Sequence, residues 1–299
     1  MRAINLKTNH LTKPVGIDAG ALFLSWQCAD GVRQTAYEIE LTANDETVWH
    51  SGKVQSAAMH ADAPTVGGSR VRGCWRVRLW DENDTPGAWS AAHFETGLAQ
   101  SDWQGKWVDP ETEEIDIPGD DAINAFARPN WESKQAEKEA AGKGAAEPYK
   151  PHRPASYLRK SFTASRGDAR LYITAKGLYA AWLNGKRIGD MVLAPGSFTG
   201  DKHLAAQTYD VTEYLRDGEN KLLVALGDGW HRSTGGVDGD RDLFGDTLGV
   251  LFQLEVDGQA VCVSDNTMQA TQGGPIRQND MQQGEVYDAR LEGELTGWH

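Results

Sequence analysis

The chain has 299 residues, a length that fits two domains of ordinary size, and carries 43 acidic against 30 basic side chains for a net charge of −13. The first hundred residues hold 9 basic and 11 acidic groups, so nearly all of the acid excess lies beyond them. Such a surface repels phosphate backbones and anionic lipid, which argues against nucleic acid and the membrane surface as partners.

No apolar run approaches the ~20 residues of a membrane span, and Met1 to Lys7 lacks the apolar stretch of a signal peptide. Cys28, Cys74 and Cys262 cannot all pair and have no metal-ligand spacing. A cytoplasmic protein without a metal site is therefore expected. Eleven tryptophans and 33 glycines fit β-sandwich layers and turns, and also suit a carbohydrate-binding surface.

Leu22, Leu24, Trp26 and Cys28 recur at period two and predict a half-buried strand. Tyr37, Ile39 and Leu41 form a second such face, with Glu38 and Glu40 outward. Asn44-Asp45 marks a turn before a short strand ending at Trp49. Trp75, Val77 and Leu79 form a third inward face, with Arg76 and Arg78 outward, and a last strand falls near Phe94. These elements predict an antiparallel sandwich over residues 1–100.

Residues 109–156 differ in kind. Asp109 to Asp121 holds seven carboxylates and no basic group, and 132–147 is rich in Ala, Glu, Lys and Gly. This composition buries little apolar area and predicts a surface insertion, with at most a short helix around Ser133 to Ala141. The acidic run lacks the D-x-[DN]-x-[DN]-G calcium-loop pattern.

Strand patterning returns from 157. Leu171, Ile173 and Ala175 alternate with Tyr172 and Thr174. Residues 178–183 precede Asn184-Gly185, and residues 248–256 and 259–264 flank Asp257-Gly258; both dipeptides are strong hairpin signals. Leu222 to Leu226 is apolar on both faces and reads as a central strand. The whole is all-β, with two antiparallel sandwiches: one at 1–100, and a larger jelly-roll-like one over 101–299 carrying the insertion at 109–156.

No nucleophile elbow, P-loop, H-E-x-x-H or dinucleotide fingerprint occurs, so no catalytic residue is assigned. The densest unusual segment is Gly227-Asp228-Gly229-Trp230-His231-Arg232. Two readings stand. Asp228, Trp230, His231 and Arg232 combine an acceptor, a stacking platform and donors, which suits a sugar ring. Alternatively the segment is a packed loop, with Trp230 covering the sandwich end and Asp228 bonding local amides. Asp201, Asp210, Asp242 and Asp246 read as turn or surface acids.

At these residues the sequence resembles the N-terminal, non-catalytic part of bacterial α-L-rhamnosidases of glycoside hydrolase family 78. The resemblance is carried by Ala169 to Tyr179, Leu183-Asn184-Gly185 to Asp190, Leu193-Ala194-Pro195-Gly196, Gln207 to Thr212, the Gly227–Arg232 segment and Gly284 to Arg290. Upstream, Trp49 to Val54, Trp75-Arg76-Val77, Trp80-Asp81, Phe94 to Leu98 and Trp103-x-x-x-Trp107 are similar to the fibronectin-III-like module that precedes that domain.

The resemblance implies hydrolysis of terminal α-L-rhamnose with inversion, through two carboxylates in a downstream α/α barrel. This chain stops at Trp298-His299, where the family continues. The expectation is a scaffolding part, inactive alone, that docks its own C-terminal catalytic domain, with Trp230 and Tyr287 on the docking face. The alternative is an autonomous module that binds L-rhamnose or rhamnose-containing glycosides. Some family members hold rhamnose through calcium with an Asp-Asn pair corresponding to positions 176–177. Here these are Lys176 and Gly177; a lysine cannot ligate calcium, so no cofactor is expected.

Overall fold

The computed structural model describes residues 1–113, 115, 136, 139–140, 153–200, 202–233, 242, 244–282 and 284–299. The chain divides into two compact units, Met1–Trp103 and Gln104–His299. Among the described residues no helix is long and apolar enough to cross a membrane.

In the first unit, β1 (Arg2–Thr8), β3 (Leu22–Ala29) and β7 (His60–Ala63) make one antiparallel sheet in the order β1-β3-β7. A second sheet runs β2-β9-β8-β4-β5 through Val15–Ile17, Ser90–Thr96, Arg72–Trp80, Ala36–Ala43 and Glu46–His50, with β6 (Val54–Gln55) also on β4. β2 lies parallel to β9, an exception to the otherwise antiparallel pairing of the named strands. The period-two faces meet as expected: Leu22, Leu24, Ile39, Leu41, Trp75, Val77 and Leu79 share one core. Buried indole N–H groups need acceptors; Trp75 Nε1 donates to Thr8 Oγ1 at 2.9 Å and Trp26 Nε1 to Gln34 Oε1 at 3.1 Å.

Glu38 departs from the solvent-facing position expected of it. It points outward yet is buried, because Arg78 and His50 close over it: Arg78 Nε lies 2.5 Å from Oε2 and His50 Nε2 2.7 Å from Oε1. Arg76 and Arg78 in turn stack on Trp89, at 4.7 and 4.8 Å from its ring centre. Glu40 stays half-exposed, ion-paired with Arg76.

In the second unit, a five-stranded sheet runs β13-β12-β15-β10-β18 through Lys186–Arg187, Leu178–Leu183, Gly218–Gly227, Ser156–Ala164 and Gln269–Thr271. A four-stranded sheet runs β14-β11-β16-β17 through Gln207–Asp210, Ala169–Lys176, Gly249–Val256 and Gln259–Val263. Their inward side chains, among them Leu158, Leu171, Ile173, Leu183, Leu222, Val224, Phe252 and Leu254, form one core. A separate hairpin pairs β19 (Ile276–Asp280) with β20 (Gly284–Tyr287). Both predicted tight turns form, with Asn184, Gly185, Asp257 and Gly258 all at positive φ, as a type I′ turn demands.

β11 and β16 are buried on both faces, with Tyr172, Thr174, Gln253 and Glu255 buried alongside Leu171, Ile173, Phe252 and Leu254. β15 is central in its sheet, but Leu223 and Ala225 remain half-buried. Residues 104–108 lie against β16, with Gln104 N donating to Gln253 Oε1, Lys106 N to Ser264 O and Val108 N to Val250 O, while Thr174 Oγ1 donates to Ala205 O at 2.8 Å.

The described ends of the 109–156 segment belong to the packed unit. Glu113 exchanges hydrogen bonds with the Gln272 side chain, Thr112 Oγ1 lies 3.1 Å from Ser156 Oγ, and Arg153 to Ser156 are buried. Ala136, Glu139 and Ala140 are helical, and the rest of the expected insertion lies outside the described residues. The three cysteines are free, and burial pushes the Cys262 thiol up to about 12.

Candidate functional site

The candidate site grows from the end of β15. The chain leaves Gly227 and makes one helical turn, α1 (Gly229–Arg232), where a loop was expected. An Asp four residues before an Arg favours such a turn, since the two side chains lie on one face. Here Asp228 Oδ1 accepts from Arg232 Nε at 2.7 Å, with Nη2 at 2.6 Å. Gly229 takes φ +54°, and a Cβ on it would sit 2.5 Å from Leu178 Cγ, so glycine is required.

Asp228 is 1 % exposed and Arg232 2 %. Three further residues complete the cluster, and sequence reasoning missed the part that each plays in it. Arg153, also buried, holds Asp242 with Nη1 at 2.5 Å and Nη2 at 3.1 Å, and its Nη1 donates to Arg232 O at 3.3 Å. Asn279 on β19 accepts from Asp228 N at 2.5 Å and donates to Arg153 O at 3.1 Å. Two guanidinium groups and two carboxylates thus make a nearly closed, charge-balanced set. Asp242 is therefore part of this set and not an isolated surface acid. Asp210 pairs with Arg170 at 3.2 Å; Asp201 lies outside the described residues.

Burial pulls the Arg232 guanidinium below its usual range while Asp228 pulls it back, and a guanidinium stays charged under both. His231 is buried, and its ring fits between Gly200 and Gly245: a Cβ on either would come within 3.3 Å of it. Its Nδ1 has no hydrogen-bond partner among the described residues. Burial, then Lys176, lowers its pKa from the ordinary 6.5. The folded protein therefore binds fewer protons than the unfolded chain, so this contribution to stability is complete above pH 6.5 and is lost as pH falls below it. His231→Gln should flatten the fall in melting temperature between pH 7.5 and 5; an unchanged slope would mean His231 takes up its proton without cost.

Trp230 is 36 % exposed and Tyr287 49 %. They are the accessible aromatic groups of the predicted set, whereas Asp228, His231 and Arg232 are turned into the protein. Tyr287 Oη donates to Glu292 at 2.9 Å. It sits opposite Ile276 in the β19–β20 hairpin, at the other end from the Asn279–Glu285 pair. With its carboxylate locked by Arg232, Asp228 offers no free acid or base to a ligand. Position 177 has its own constraint: Gly177 takes φ +99°, and a Cβ there would lie 2.4 Å from Gly227 O. Lys176 Nζ lies 5.3 Å from the Trp107 ring centre.

The comparisons with known proteins agree with this architecture. Residues 3–100 match the Rha78A-like N-terminal immunoglobulin domain, and residues 165–299 match the α-L-rhamnosidase N-terminal domain. A curated α-L-rhamnosidase of Formosa agariphila is 33% identical over 96% of this chain and 31% of its own length. Among solved structures, the α-L-rhamnosidase from Dictyoglumus thermophilum superposes with a TM-score of 0.76 at 28% identity, covering 98% of this chain and 32% of that one. The Aspergillus terreus enzyme gives 0.76 at 28% identity, covering 99% and 33%. The chain spans about a third of the length of these relatives. Its two units thus match, in order, the Rha78A-like N-terminal immunoglobulin domain and the α-L-rhamnosidase N-terminal domain.

Proposed function

We propose that the chain is the N-terminal part of a glycoside hydrolase that releases terminal α-L-rhamnose, and that this part scaffolds and docks a catalytic domain encoded further along. One observation carries the reading: both matching domain models are named as N-terminal domains, and a relative named as an α-L-rhamnosidase aligns over 96% of the chain but only 31% of its own length. The second unit is read as a sandwich of the jelly-roll kind, and three free thiols fit a reducing, cytoplasmic setting.

The docking role is favoured by the state of the candidate site. The polar groups that a sugar would need, Asp228 and Arg232, are consumed by each other, while Trp230 and Tyr287 present apolar surface. A second reading, an autonomous L-rhamnose module, draws support from the 36 % exposed Trp230, whose ring could stack on the apolar face of a sugar. Calorimetric titration separates the two: millimolar L-rhamnose, with and without calcium, should give no heat under the docking reading. The 299 residues alone should release no rhamnose from an aryl α-L-rhamnoside, and the product of the complete reading frame should release it. Release by the 299 residues, or none by the complete product, overturns the proposal.

A further inference from the structure

The outward face of the five-stranded sheet is crossed by one row of register partners. Arg187 lies opposite Trp182, Trp182 opposite Leu223, Leu223 opposite Arg159, and Arg159 opposite Gln269. Their strand neighbours Leu183, Leu222 and Leu158 are fully buried, so alternation turns this row away from the core. At the Trp182 end lies an open cleft of about 600 Å³, lined by Trp182, Leu223, Arg216, Glu219, Lys221 and the Asn184–Gly185 turn.

The rim is rigid by construction. Asn184 Nδ2 donates to Tyr214 O at 2.9 Å and to Asn220 Oδ1 at 2.8 Å, and Asn220 Nδ2 donates to Arg216 O at 2.9 Å and Gly218 O at 3.0 Å. These amides hold the loop that presents Arg216 and Glu219. Lys221 Nζ and the Arg216 guanidinium belong to exposed residues. Among the described residues the lining therefore carries two cations against one carboxylate, on a chain whose net charge is −13.

The cleft is also remote from the candidate site. Lys221 and Asp228 lie seven positions apart along β15, on the order of 20 Å at strand spacing.

We propose that this cleft is a binding site for an acidic oligosaccharide, a sugar chain bearing uronate carboxylates. Trp182 and Leu223 offer an apolar platform for the C–H face of a pyranose ring. Arg216 and Lys221 supply charge-assisted donors to a carboxylate, and Glu219 accepts from sugar hydroxyls. A long polyanion such as nucleic acid is disfavoured because it would extend past the two cations of the cleft along a chain whose net charge is −13. The proposal concerns residues apart from the docking face and stands or falls separately from the rhamnosidase reading.

The test is calorimetry on the full chain with trigalacturonate at low ionic strength. Binding should appear, weaken with added salt, and exceed binding of the uncharged maltotriose by about tenfold or more. The exposed-site variant Arg216→Gln/Lys221→Gln should keep the wild-type melting temperature and lose about a hundredfold in affinity, about tenfold for each charge-assisted contact removed. Folded Trp182→Ala should not bind. Any of four results overturns the proposal: no heat at millimolar trigalacturonate, equal binding of maltotriose, wild-type affinity in the double variant, or tighter binding of a single-stranded DNA oligonucleotide than of trigalacturonate.

Discussion

Asp228→Ala should cost the second unit about 3–5 kcal/mol, the range found when one partner of a buried ion pair is removed. The side chains of Arg232 and Asp228 are 3% and 2% exposed, so the guanidinium left behind has no route to water. Arg153 adds a second buried guanidinium close by, 5% exposed at its side chain and held by Asp242. Deleting Asp228 would leave two like charges facing one carboxylate. A shift of the urea midpoint to lower concentration, at unchanged slope, measures the loss. The double change Asp228→Leu/Arg232→Met should recover most of it, because removing both charges leaves no orphan. A loss below about 1 kcal/mol for Asp228→Ala would show that the cluster is solvated or compensated in a way its burial denies.

Trp75→Ala should damage the first unit on a similar scale, about 3–5 kcal/mol for a large aromatic removed from a close-packed core. Trp75 is fully buried, packs with Leu22, Leu24, Ile39 and Leu41, and donates to the Thr8 hydroxyl. Truncation thus creates a cavity and strands a buried hydroxyl. Trp75→Phe refills much of the volume but still orphans Thr8, so it should cost about 1–3 kcal/mol. Near-ultraviolet circular dichroism during denaturation reads both; equal losses in the two variants would mean the hydrogen bond, and not the packing, carries the effect.

Much of the fold was legible in the chain itself. Period-two alternation in Leu22 to Cys28, Tyr37 to Leu41 and Trp75 to Leu79 marks one buried face, because a strand places successive side chains on opposite sides. Asn184-Gly185 and Asp257-Gly258 were legible for a similarly local reason: positive φ at two successive positions selects those residue types. The ordered motifs from Ala169 to Arg290 carried the family resemblance, which the domain matches then supported.

The candidate site was legible only in part. Local sequence singles out Asp228 to Arg232, and the i,i+4 spacing of Asp and Arg is a local signal for their pairing and for the helical turn. Nothing local marked Arg153, Asp242 or Asn279, which reach the same cluster from three separate parts of the chain. The polar, low-complexity composition of the 109–156 segment that carries Arg153 pointed instead to solvent.

What the residues determined alone is the β class, the inward faces and the tight turns, each set by backbone geometry within a few positions. The tertiary structure decided which strand face is covered, whether a charge such as Glu38 or Asp228 meets water or a partner, and where Trp182 stands relative to Arg216 and Lys221. Burial and electrostatic pairing depend on distance in space, and strands far apart in the chain supply the neighbours that set it.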